Sequence, residues 1–342
     1  MYVVSLCSTD LGSGPFVLKT SDCNGSTREV RVGRRLTSTS EFDFLGSCNG
    51  LLLLSCGLTG DDLFIWNPCS GKKKKISCSD RFVPARNNIG ISGLAYDSSS
   101  EDYRAVFGVW SSNSGYMDIH LYAFRTNTWK AIYIKVLPFM CGCLNFADQG
   151  TNVNGVPHWL FGKKDILRRI DNRSIADFDP AEEKFRKLSL PADRKAIFDT
   201  IALGALGGCL SVTYDSLAVG GLIMSETWVM REYGIEESWM KLFCFFPETF
   251  FQYTYLRPLC FTTKGEVLME LDRKRLMVFN LRVGSVTQYV SSFVQNEYYY
   301  CSSSNLGFEL ATYMETSDFP TMDTKKRSIS DECEVRRNRS KN

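Results

Sequence analysis

One pattern constrains this chain more than any other: a strand-like run that ends in a turn and is followed by a second amphipathic strand. It occurs five times, as LFIWNPCSGKKKKI (63–76), LYAFRTNTWKAI (121–132), IADFDPAEEKFRKL (175–188), WVMREYGIEESWMKLF (228–243) and LMVFNLRVGSVTQY (276–289). Between the strand-end positions Asn67, Arg125, Asp179, Arg231 and Asn280 the spacings are 58, 54, 52 and 49 residues. A period near 50 residues suits a four-stranded propeller blade of the kelch sort.

Local chemistry supports hairpins at these places. In Asn67–Pro68 and Asp179–Pro180 the proline presets φ for a turn, and the Asx side chain bonds the backbone two residues on. A large apolar residue follows several turns (Trp129, Phe185, Trp239), placed to pack between neighbouring blades. Other strand pairs lie between the hairpins: 46–56, 93–110, 150–162, 203–214 and 259–271. Each combines with the hairpin after it to make about four strands per unit. The segment Ile201–Met224 has Asp215 as its one charge, but its glycines and a turn placed at Tyr214–Asp215–Ser216 read as two buried strands and not as a membrane span. No run of a dozen residues holds a helical period, which disfavours parallel βαβ folds. A sixth unit is expected from both ends, REVRVG (28–33) with LGFELATYM (306–314), closing the ring and removing exposed sheet edges. The expected fold is an all-β, kelch-like propeller of about six blades over 1–318, with five or seven open. Residues 319–342, charged and poor in large apolar side chains, are expected to be a disordered tail.

Charge and cysteine usage narrow the function. Forty basic and 38 acidic residues leave a formal charge of +2, so no whole-molecule attraction to nucleic acid or to an anionic membrane is expected. The 13 cysteines form no C-x-x-C pair, and Cys141–Gly142–Cys143 has no second pair or nearby histidine to complete a metal site. Reduced cysteines and an amino terminus without a signal-like basic and apolar pattern point to the cytoplasm, the nucleus or both. The two histidines, His120 and His158, sit in strand-like runs, and no Walker loop, G-x-S-x-G or dinucleotide turn is present. No catalytic residue, cofactor or metal is therefore expected. The Lys72–Lys75 run lacks interleaved aromatics and reads as an exposed strand face.

Several of these segments carry a resemblance. GSCNGLLLL followed by LFIWNPCSGK (46–72), then GLAYDSSSEDYRAV (93–106), LYAFRTNTWKAI, GVPHWL (155–160), IADFDPAEEKFRKLSLP (175–191), LGGCLSV (206–212), WVMREYGIEESWMKLF and YMETS (313–317) resemble, in order and spacing, the plant F-box-associated domain family over about residues 40–318. The resemblance implies a non-catalytic recognition propeller that binds the protein to be ubiquitinated. In that family an F-box ahead of it docks the Skp adaptor of a cullin-based ubiquitin ligase. The first 45 residues lack the leucine-proline start, helical periodicity and basic-Trp close of an F-box, so the chain resembles the recognition half alone. Adaptor and cullin are expected as partners only if an F-box lies upstream, and a decoy that binds without delivering is the alternative.

Propellers commonly bind through loops on one face of a rigid scaffold. Two longer connections offer hot-spot residue types. They are 77–92, with Arg81, Phe82 and Arg86, and 245–258, with Phe250, Phe251, Tyr253, Tyr255 and Arg257. The second reads equally well as a buried strand. Two rival functions stay open: a glycan-binding propeller using exposed aromatics of 245–258, and a kelch-type oxidase, which the scarcity of histidine disfavours.

Overall fold

The computed structural model describes residues 2–7, 16–22, 27–33, 42–56, 62–77, 89–110, 116–135, 148–161, 173–192, 196–217, 223–246, 256–271, 275–290 and 310–313. These form six sheets. The first three strands, β1 (Tyr2–Cys7), β2 (Phe16–Asp22) and β3 (Thr27–Gly33), belong to the closing sheet. Sheet one follows with β4 (Phe42–Cys48), β5 (Leu51–Cys56), β6 (Asp62–Trp66) and β7 (Lys73–Ile76). Sheet two holds β8 (Ile89–Asp97), β9 (Asp102–Trp110), β10 (Tyr116–Ala123) and β11 (Thr128–Lys135), joined by the short β12 (Asp148–Gln149). Sheet three is β13 (Thr151–Val153), β14 (Val156–Phe161), β15 (Ser174–Asp179) and β16 (Lys184–Leu188). Sheet four is β17 (Ala196–Leu206), β18 (Cys209–Leu217), β19 (Ile223–Met230) and β20 (Trp239–Phe245). Sheet five is β21 (Leu256–Phe261), β22 (Val267–Leu271), β23 (Arg275–Asn280) and β24 (Ser285–Val290). The last strand, β25 (Leu310–Tyr313), returns to pair with β1 in register Tyr2↔Tyr313 to Ser5↔Leu310.

The strands of each sheet pair antiparallel with their neighbours except β12, which adds to β8 in parallel, and β25 also packs against β4 of sheet one. The architecture is the expected all-β propeller with six blades. Its closing sheet joins 27–33 to 310–313 as expected, and it also takes in β1 and β2, which carry no counterpart of the repeated hairpin motif. The five outer hairpins, β6–β7, β10–β11, β15–β16, β19–β20 and β23–β24, are the five repeated segments.

Turn chemistry works as the residues suggest. Asn67 Oδ1 accepts from the N–H groups of Cys69 and Ser70, at 2.8 and 3.0 Å. Asp179 Oδ1 does the same for Ala181 and Glu182, and Asn280 Oδ1 for Arg282 and Val283. One expectation is corrected. Tyr214, Asp215 and Ser216 lie inside β18 and make no turn; the strand pair 203–214 turns at its glycines, Gly207 and Gly208, both at positive φ (61° and 79°), which glycine adopts without a Cβ penalty. Asp215 is buried in the strand, where Ser225 Oγ donates to it at 2.5 Å. No described helix is long and apolar enough to cross a membrane.

The core is a series of seams rather than one centre. Leu45, Leu53, Ile65, Phe107 and Tyr122 fill the seam between sheets one and two; Ile91, Val106, Trp159, Phe161 and Phe178 fill the next. Leu203, Val212, Tyr214, Trp228 and Trp239 lie between sheets three and four, and Val229, Met269, Met277 and Phe279 between four and five. Strand alternation sends Leu268 and Val278 to the opposite side of sheet five from Met269 and Phe279.

An indole N–H ties each of three seams to a backbone carbonyl. Trp129 donates to Ser77 at 2.7 Å, Trp159 to Ser92 at 3.0 Å and Trp239 to Ser189 at 3.0 Å. Near the axis the backbones almost touch. A Cβ on Gly46 of β4 would lie 2.6 Å from the nitrogen of Leu94 in β8, and one on Gly204 of β17 would lie 2.5 Å from the carbonyl oxygen of Pro258 in β21.

Candidate functional site

Antiparallel strands running outward from the axis place the first and third turns of every sheet at one end. The second turn and the connection to the next sheet lie at the other. The ring therefore has a face of short turns and a face of inter-sheet connections. The residues described cover the turn face of sheets one to five, whereas 78–88, 136–147 and 247–255 lie outside them.

The turn face is stitched by polar bonds across the seams. Tyr96 N–H donates to the Gly155 carbonyl at 2.8 Å, and Lys74 Nζ to the Phe124 carbonyl at 3.1 Å. Burial lowers the Lys74 ammonium pKa, and its Nζ sits 4.4 Å from the Phe124 ring centroid, so the Lys72–Lys75 run is not wholly a solvated face. Glu183, from the β15–β16 turn, meets both Arg104 and Lys130 of sheet two. Burial pushes the Asp97 carboxyl up, but the hydroxyls and N–H groups of Ser100 and Ser99 outweigh it and hold it down to about 2.

The densest cluster joins sheets three and four. Asp177 on β15 is fully buried and forked by Arg186, with Nε at 3.1 Å and Nη2 at 2.9 Å; Arg186 Nη1 also reaches Asp179 at 2.9 Å. Tyr233, from the β19–β20 turn, donates its hydroxyl to Asp177 at 2.6 Å and stands 2.8 Å from Nε2 of His158. His158 Nδ1 lies 3.1 Å from the Thr151 carbonyl oxygen. Burial pulls the imidazole down to about 4, against the Asp177 charge and the backbone groups of Thr151 and Val156 that pull it up. Burial and Asp177 both raise the Tyr233 phenol, and Asp177 raises the Arg186 guanidinium. The cluster fastens one sheet to the next. His158 is a structural member of it, and the signals of its environment in sequence were a polar Asp177 inside an apolar strand and an aromatic in the next hairpin turn.

Of the residues singled out in the sequence for binding, Arg81, Phe82, Arg86, Phe250, Phe251, Tyr253 and Tyr255 lie outside the described residues. Arg257 is described: it sits in β21 with Nε 2.8 Å and Nη2 2.6 Å from Glu270 Oε2, and Glu270 is buried. The ends of 245–258 divide. Phe245 stacks in the core on Phe243 and Phe279, Leu256 is buried, and Phe246 is 57% exposed at the connection face. The remaining large exposed apolar side chains among the described residues, Tyr233, Ile235, Phe261 and Val283, belong to the turn end of sheets four and five. Among the described residues no group of three or more His, Cys, Asp or Glu side chains converges as a metal site would require.

A ring of antiparallel blades with seams closed by tryptophan and no convergent catalytic constellation among its described residues is a β-propeller scaffold, a class defined by what its faces hold. The chain belongs to the F-box associated β-propeller domain family, whose model matches residues 7–315. It is 29% identical to the F-box protein CPR1 of Arabidopsis thaliana over 70% of this chain and 61% of that protein. It is 24% identical to the F-box/kelch-repeat protein At3g23880 of the same plant, over 74% and 65%, and 23% identical to the F-box protein At3g07870, over 81% and 73%. The chain thus spans less than two thirds of the length of the first two relatives. Among solved structures, the Dos1 propeller aligns over 80% of this chain and 65% of its own at a TM-score of 0.37 and 10% identity, a likeness too loose to add to the fold described above.

Proposed function

We propose that the chain is a substrate-recognition propeller of an F-box-type ubiquitin ligase, a binding module and not an enzyme, which takes a protein partner on its connection face. The observation that supports this best is the family match over residues 7–315 together with F-box relatives. The division of the faces agrees with it. Short, cross-bonded turns occupy one face, and Phe246 stands exposed at the opposite end of the strands, just after β20. Propeller loops held by such a scaffold are where binding residues concentrate. Docking to the Skp adaptor belongs to an F-box, and residues 2–7, 16–22 and 27–33 are strands of the closing sheet. The working place is the cytoplasm or nucleus, where reduced cysteines persist.

The test is site-specific photocrosslinking in plant extract, with the crosslinker at Phe246 on the connection face or at Thr126 on the turn face. Protein adducts concentrated at Phe246 are expected; adducts equal at both positions, or confined to Thr126, overturn the assignment of the face. Capture of the Skp adaptor is then compared between this chain and a version with an F-box fused in front. Capture by the fused version alone is expected, and it separates recognition from delivery.

A further inference from the structure

The closing sheet is built differently from the other five. In sheets one to five the first strand of the four runs on into the second through a short turn, Asn49–Gly50 in sheet one and Gly207–Gly208 in sheet four. In the closing sheet the first place is taken by β25 and the second by β1, so the two ends of the ring stand where that turn would be. They pair antiparallel, Tyr2↔Tyr313, Val3↔Thr312, Val4↔Ala311 and Ser5↔Leu310. β1 therefore starts, and β25 stops, on the turn face, with the two Cα atoms about 5 Å apart as such a pair requires. β25 also packs against β4, which ends at Cys48 beside the Asn49–Gly50 turn, so this point adjoins the turn end of sheet one. The start of β1 is firmly held: the strand lies between β25 and β2 and pairs with β2 from Tyr2↔Asp22 to Cys7↔Val17.

We infer that a domain joined to the amino end of this ring sits over the turn face, beside sheet one, and leaves the opposite face, where Phe246 stands, open to a substrate. Moving from one face to the other means covering the height of a sheet, about 20 Å, as well as its width. A chain advances at most ~3.5 Å per residue, so a short linker keeps the domain on the face where it starts. The inference rests on the proposed function in one respect: there the attached domain is an F-box with its Skp adaptor, so adaptor and substrate are held on opposite faces of one rigid ring. The ring is then a spacer as well as a recognition surface, and its turn face is the side turned toward the ligase.

An F-box carrying its Skp adaptor is joined directly ahead of Met1 of the full chain, and energy transfer is measured from a donor on the ring to an acceptor on the adaptor. Donors are compared in pairs at the two ends of one strand: Ser70 with Ser77, flanking β7, and Ile235 with Phe246, flanking β20, all four exposed. In each pair the turn-face position, Ser70 or Ile235, is expected nearer the acceptor by about 10–20 Å, the length of the strand between them. Equal distances in either pair, or a shorter one from Ser77 or Phe246, overturn the proposal. A fluorescent protein joined at the same place, with the same expected order, takes over if the F-box fusion does not fold. No substrate is present, so the two readings fail separately: absent adducts at Phe246 in the crosslinking experiment leave this placement standing, and a reversed order of distances leaves partner binding untouched.

Discussion

Trp239 shows how a single side chain acts in this fold. Its ring is 8% exposed in the seam between sheets three and four, and its N–H is spent on the Ser189 carbonyl. Trp239→Ala is expected to cost about 3–5 kcal/mol, read as a lower urea midpoint at unchanged slope. Trp239→Phe keeps most of the packing and loses the hydrogen bond, for about 1 kcal/mol. Trp129 is only partly buried, so Trp129→Ala falls at or below the lower end of that range. His158 adds a pH dependence. The unfolded chain takes up its proton near 6.5 and the fold only near 4, so below pH 6.5 the unfolded state binds more protons and stability drops, with the loss complete below about 4. The loss is on the order of 3 kcal/mol. Urea midpoints at pH 7.5 and 4.5 check it: His158→Gln reduces the difference between the two, and His120, whose pKa burial also lowers, acts in the same direction.

At the scale of the element, the hairpin carries both the repeat and its variation. Asn67, Asp179 and Asn280 each cap a turn by accepting two backbone N–H groups, so Asp179→Ala is expected to cost about 1 kcal/mol in thermal or urea unfolding. The first two of these turns were readable because the Asx–Pro pair is a local signal that needs no partner from elsewhere, whereas Asn280, followed by Leu281, was placed by the repeat spacing. The glycines of 203–214 mark the turn of that strand pair, whereas the turn expected at Tyr214–Ser216, where a charged residue in an apolar run looks like a break, is absent. Ser225, reaching Asp215 from the adjacent strand, removes the need for one. The glycines of the inner strands have a different use. Gly46 and Gly204 sit where a neighbouring backbone arrives, so Gly46→Ala and Gly204→Ala, harmless in an isolated strand, are expected to cost about 1–3 kcal/mol by pushing two sheets apart.

For the whole molecule, closure decides stability. Sheets one to five pack in succession, and β25 completes a sheet whose other strands begin at residue 2 and sets it against β4 of sheet one. Removing residues 306–342 opens that sheet and is expected to lower Tm and broaden the transition in calorimetry. Removing 319–342 alone leaves both unchanged. A Tm equally depressed by both truncations would assign structure to the tail.

The sequence alone determined the repeated unit, because hairpin turns and strand alternation are local and a period near 50 residues repeats them visibly; it left the count between five and seven, and the pairing of β25 with β1 set it at six. It also carried the family, through the order of segments from 46 to 317. The tertiary structure decided which residues meet: Tyr233 with Asp177 and His158, Trp239 with Ser189, Gly46 with Leu94. Those pairs lie on different sheets, and no spacing along the chain encodes which side chains two packed sheets bring face to face. The same holds for the faces. That Glu183 is held by two cations of the neighbouring sheet follows from where adjacent blades place their charges, which only the assembled ring defines.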